Sequence, residues 1–225
     1  MPNSIDTGTA GHGLPTRSGL LPPAVRRDLA DLNSQYLELG LDPGHENDPR
    51  FGWSDAVRRC LLEADPGTRL RMAFAPFALF DLALPAASGA YPAARVADDP
   101  WVASVGDGQG RCSSFAMQAA FLALRLVESV PYAARVALGL SAADEVRLAG
   151  LKPSEVAELA RSPGLLCARW PRHLRFWEML AGAARRDSAG ALQWTHCVGL
   201  CLFGSEGPAS GPKPAQPSGK HRPRR

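Results

Sequence analysis

The chain has 225 residues, 45% of them hydrophobic and 21% charged, with a net charge of +3. That is enough apolar material for one or two cored domains and too little net charge to demand a polyanionic partner. No apolar run approaches the ~20 residues that cross a bilayer, so no membrane contact is expected. Alanine and leucine prevail and β-branched residues are sparse, which favours helix, so the expected fold class is all-α.

Residues 1–22 are rich in Gly, Ser, Thr and Pro and read as a disordered N-terminal segment with no secretory leader. "DLNSQYLELGL" (31–41) has the periodicity of an amphipathic helix. Ser54–Ala64 and Pro66–Ala73 read as two short helices, with a break near Pro76. The serine suits an N-cap and Pro66 suits a first helical position. "FALFDLAL" then reads as a short extended segment ending at Pro85.

Residues 85–110 have loop composition, and "GDGQG" (106–110) reads as a flexible linker. A phosphate-binding loop is excluded there, because the strand–turn–helix context and the Lys-Ser/Thr pair are missing. An apolar helix follows around Phe115–Leu126. Ser141 with Asp144 marks the start of another helix reaching about Ala149. Pro153–Arg161 is a further helix, stopped by Ser162-Pro163-Gly164. "LLCARW" is a second extended run, and "LQWTHCVGLCLF" (192–203) is a small-residue apolar helix.

These elements recur. Shifted by 87 residues, 52–82 falls on 139–169 without a gap, and Gly52, Ser54, Pro66, Pro76 and Leu79 meet Gly139, Ser141, Pro153, Pro163 and Leu166. Matching turn and cap residues say more about structure than matching alanines. The chain therefore divides into a first helical repeat at 23–112, a second at 113–204, and a disordered basic tail at 205–225. The tail holds Lys213, Lys220, Arg222, Arg224 and Arg225 against Glu206, a net +4 that leaves the remainder at −1. If a pseudo-two-fold relates the repeats, the two extended segments should pair in the centre of the molecule.

The second repeat resembles the D subunit of the bacterial flagellar master transcriptional activator (FlhD). The resemblance lies in "FLALRLVESVPYAARVALGLSAADEVRLAGLKPSEVAELARSPGLLCARW" (121–170) and "LQWTHCVGLCL" (192–202). It implies a helical, dimerising, cytoplasmic regulator that works with a regulatory protein partner. Here the tandem arrangement would make an internal pseudo-dimer, a pseudo-dimeric monomer or a homodimer of one. The resemblance also implies that Cys167 occupies the position of a thiol able to bridge subunits. At the 87-residue shift its counterpart is Phe80, so no symmetric bridge is expected.

The remaining candidates are charged or nucleophilic. Between Arg161 and Arg186 lie Arg161, Arg169, Arg172, Arg175, Arg185 and Arg186 against Glu178 alone. Such a cluster suits phosphate contact, and DNA is the partner it would select. The nearby Trp170, Phe176 and Trp177 have roughly helical spacing and are expected in the core, as are Leu174, Met179 and Leu180. The arginines serve equally as the solvated surface of a helical adaptor with no nucleic-acid role.

Cys60, Cys112, Cys167, Cys197 and Cys201 are odd in number and form no C-x-x-C pair. They read as reduced buried thiols with no metal and no cofactor. The histidines are scattered, and the chain is not expected to be an enzyme. The enzymatic alternative would need Cys167 or Cys197 within reach of an imidazole.

Overall fold

A computed structural model describes residues 21–46, 48, 50–84, 108–162 and 164–205. The segment 85–107, the tail beyond 205 and nearly all of residues 1–22 lie outside the described residues, and so do the readings placed on them.

The described chain is mostly helical. It runs α1 (Pro23–Leu41), α2 (Asp55–Glu63), α3 (Pro66–Ala73), β1 (Phe80–Leu82), α4 (Gly108–Ser129), α5 (Pro131–Leu138), α6 (Ala142–Ala149), α7 (Pro153–Arg161), β2 (Leu166–Ala168), α8 (Leu174–Arg185) and α9 (Ala189–Ser205). A 3₁₀ turn at Pro43–His45 follows α1, with the Asp42 side chain accepting from the Gly44 amide.

Helix ends sit where polar side chains satisfy free amides. Ser54 accepts from Val57 N at the start of α2, and Asp65 accepts from Thr68 N at 2.9 Å at the start of α3. Ser141 and Asp144 form a reciprocal capping box on α6. Pro66, Pro131 and Pro153 each open a helix, where a missing N–H costs nothing.

One boundary differs from the sequence reading. Gly108, Gln109 and Gly110 belong to α4, not to a linker, so the division at residues 112 and 113 falls inside one helix. The expected helix around Phe115–Leu126 lies within α4, and a further helix, α5, follows it. Pro131 cannot donate to the ladder and restricts Val130, which adopts φ −148° and ψ 71° and separates α4 from α5.

The two extended segments pair. β1 and β2 form an antiparallel ladder with Phe80 opposite Ala168, Asp81 opposite Cys167 and Leu82 opposite Leu166. α2 and α3 begin 87 residues before α6 and α7, but β1 begins 86 residues before β2. From the start of the second helix to the start of the strand, the second stretch is thus one residue shorter. That slip puts Asp81, rather than Phe80, across from Cys167.

Helix α1 packs on α3 and α4. Helix α4 carries α5, α6 and α7, while α8 lies across α2 and α3 and carries α9. Tyr36 sits at the centre, fully buried, with ring centroids of Phe51, Trp53, Phe80 and Phe115 at 5.2, 5.4, 5.4 and 5.9 Å. Its hydroxyl donates to Arg50 O at 3.2 Å, and burial raises its pKa well above the usual phenol value.

Buried Asn33 of α1 fixes the approach to β1. It donates to Ala73 O (3.1 Å) and Phe77 O (2.9 Å) and accepts from Leu79 N (2.8 Å). A polar group at this depth requires such partners. Helix α9 docks by close approach, since a Cβ on Gly199 would lie 2.4 Å from Phe77 Cζ.

Candidate nucleic-acid interface

The six arginines of the expected cluster do not form one group. Arg169 is a correction: it is 1% exposed and belongs to the interior. Its Nε donates to Asp81 Oδ1 at 2.5 Å, Nη1 to Ala78 O at 2.8 Å and Nη2 to Leu138 O at 2.8 Å, and it stacks near the Trp170 ring. Burial lowers its pKa, and Asp81 works against that shift. Every branch of the guanidinium is committed to holding β1 and the end of α5 in place, so it has no face for a phosphate.

Arg161 closes α7, which packs on α4. Arg172 lies just before α8, Arg175 and Arg185 on it and Arg186 at its C-cap, all exposed. At 100° per residue, Arg175, Glu178, Met179, Gly182 and Arg186 share one stripe, and the structure leaves that stripe outward. The opposite face buries Phe176, Trp177, Leu180, Ala181, Ala183 and Ala184. Among the described residues none of the five remaining arginines forms an ion pair.

The aromatic side chains of this region are core, as their spacing predicts. Trp170, Phe176 and Trp177 are 2%, 3% and 0% exposed, which removes them as stacking platforms for bases. Trp170 takes the left-handed conformation at φ 51°, a strained choice for a bulky residue. It is held by edge contacts to Phe176 and Phe77 and by Trp177 Nε1 donating to its carbonyl at 3.1 Å. Met179, expected inside, is exposed.

Cys167 is half-buried, and its pKa is pushed up to about 11, first by burial and then by Asp81. Its nearest polar contact is Asp81 O, at 3.9 Å. Neither Cys167 nor Cys197 has an imidazole partner among the described residues. His196 lies edge-on to Phe77 at 6.0 Å, and its Nε2 lacks a partner among the described residues. Burial lowers its pKa, so the ring is held neutral.

The thiol that does reach an imidazole is Cys112. Its Sγ lies 3.5 Å from His45 Nε2, and both residues are buried. His45 Nδ1 donates to Leu39 O at 3.0 Å, which leaves Nε2 as the acceptor. The Asp48 carboxylate completes a group whose donor atoms all lie within 4.8 Å of one another. Sequence spacing hides this set, because 67 residues separate the thiol from the imidazole. A short His-x-x-Asp loop was its one local signal.

No protein-family model, no curated protein and no solved structure matches the chain significantly.

Proposed function

We propose that the protein is an FlhD-like regulatory protein whose two degenerate repeats form a pseudo-dimer within one chain. It acts in the cytoplasm through contact with a protein partner, and the outer arginines of α8 add attraction to DNA. The observation that carries this reading is the β1–β2 ladder. An antiparallel pair has a local two-fold axis at each residue pair. A shift of 86 residues puts that axis on Asp81 and Cys167, and Cys167 is the residue that the FlhD resemblance places at a subunit bridge. In this chain a carboxylate faces it, so the halves are joined by the chain and the ladder rather than by a disulfide.

The DNA component rests on Arg172, Arg175, Arg185 and Arg186, which are exposed and free of ion pairs among the described residues. The protein-contact component rests on α9. That helix is apolar around most of its circumference, yet Trp194 is 67% exposed and Cys197 and Cys201 lie on the same side. A helix of this composition is ordinarily buried.

Sedimentation of the full chain tests the pseudo-dimer, with a monomer expected across the micromolar range. Fluorescence anisotropy with duplex DNA at low and near-physiological salt tests the arginines. Arg172→Ala, Arg175→Ala, Arg185→Ala and Arg186→Ala together are expected to weaken binding and flatten its salt dependence. Unchanged binding would favour the helical adaptor, with these arginines serving only to solvate α8.

A further inference from the structure

We infer that His45, Asp48 and Cys112 form a metal site of zinc type, with a fourth position open to water. The donor set is one imidazole nitrogen, one carboxylate oxygen and one thiol sulfur, all within 4.8 Å of one another. Zinc accepts this mixture of donors. The geometry is already partly set. With Zn–S near 2.3 Å and Zn–N near 2.05 Å, a tetrahedral centre places its sulfur and nitrogen about 3.5 Å apart. The observed separation of Cys112 Sγ and His45 Nε2 is 3.5 Å. Asp48 closes the triangle by a side-chain movement of about 1 Å toward the other two.

The surroundings orient each ligand, as outer partners do at metal centres. Leu39 O accepts from His45 Nδ1 and so directs Nε2 inward. Arg50 donates to Asp48 through its backbone N to Oδ1 and through Nε to both oxygens, each at 2.9 Å, and through Nη2 to Oδ2 at 2.5 Å. These contacts fix the carboxylate in place, and a cation would share its oxygens with the Arg50 fork. Burial pushes the Asp48 carboxyl up, but the Arg50 hydrogen bonds outweigh it and hold the group ionised.

A divalent ion offsets the Cys112 thiolate, while Asp48 stays paired with Arg50 and Arg111 with Asp42 at 3.2 Å, which leaves the centre with one net positive charge. Binding releases the Cys112 proton to solvent, so uptake strengthens as pH rises. Burial pushes that thiol's pKa up in the free chain. A depression lined by Gln35, Glu38, Leu39, Arg111 and Ser114 lies beside the site; its Leu39 carbonyl holds His45 and its Arg111 precedes Cys112 in the chain. The ion would tie the loop after α1 to the first turns of α4.

The test uses the full chain carrying C197S and C201S, which removes an exposed thiol pair one helical turn apart that could bind metal adventitiously. Cobalt(II), then zinc, is added alone. One equivalent of cobalt should give a thiolate-to-metal charge-transfer band that zinc displaces. C112S and H45Q, checked for native helicity by circular dichroism, should abolish the band and weaken zinc uptake by more than about 100-fold.

X-ray absorption at the zinc edge of the background chain gives an answer that depends on no ligand variant. One sulfur at about 2.3 Å with nitrogen or oxygen at about 2.0–2.1 Å is expected. Zinc lost on gel filtration, a shell with no sulfur or with two, or uptake that survives C112S would each overturn the site.

Discussion

Two stretches of the chain follow the same order of elements, α2–α3–β1 and α6–α7–β2, yet their surfaces differ. Helix α8 lies across α2 and α3, whereas α6 and α7 lean on α4 and α5. At the 87-residue shift, Cys60 and Arg71 of the covered pair become Arg147 and Glu158. Arg71 Nε donates to Ala184 O at 2.6 Å near the end of α8, a contact that Glu158 cannot make. The approach to β1 is also held by buried Asn33, while Ala120 stands at the shifted position. A shared order of elements therefore does not dictate a shared surface.

The largest effect should come from Arg169, the buried arginine among the described residues. Arg169→Ala leaves Ala78 O and Leu138 O without their donor and opens a large void, and it should cost about 4 kcal/mol in urea unfolding. Arg161→Ala, on the exposed end of α7, should stay within about 0.5 kcal/mol. Equal costs for the two would break the distinction between interior and surface arginines.

Asn33→Leu removes the partners of two carbonyls and one amide. A loss of about 3 kcal/mol is expected, with hydrogen exchange faster at Leu79 N than at amides of α6. Arg71→Ala should cost about 1 kcal/mol by loosening α8, while Glu158→Ala should be nearly neutral; thermal melts of the two variants sharpen the contrast between covered and uncovered helices.

The smallest effect depends on pH. Burial lowers the pKa of His196 below the ordinary imidazole value of 6.5. As pH falls below 6.5, the unfolded chain takes up this proton before the folded chain does, so stability declines with falling pH in that window. His196→Phe should flatten that part of the stability profile, and an unaltered slope would show that His196 does not cause it.

Much of the fold is legible in the sequence because local rules set helix starts. Ser54, Pro66, Ser141 and Pro153 each mark an observed beginning, and the internal shift points to the strands that pair. The split at Pro131 also carries a local signal, but the apolar run on either side masks it. The fate of Arg169 has no such signal. It sits among similar arginines, and only the arrival of Asp81, Ala78 and Leu138 from distant parts of the chain turns it inward. Cys112 and His45 likewise meet only because α4 returns to the end of α1. Long-range assembly of polar groups leaves no period in a sequence, whereas caps and amphipathic faces do.

The ladder also bears on the order of assembly. Its strands join residues 84 to 88 apart, with Phe80 opposite Ala168 and Leu82 opposite Leu166. Closing so long a loop costs entropy before any contact returns it, while the helices form from near neighbours. The three-residue pairing should therefore come late and act as a checkpoint on register. A slip of one residue would turn Phe80 away from Tyr36 and toward the opposite face, so the central aromatic cluster should close only around a correctly paired chain.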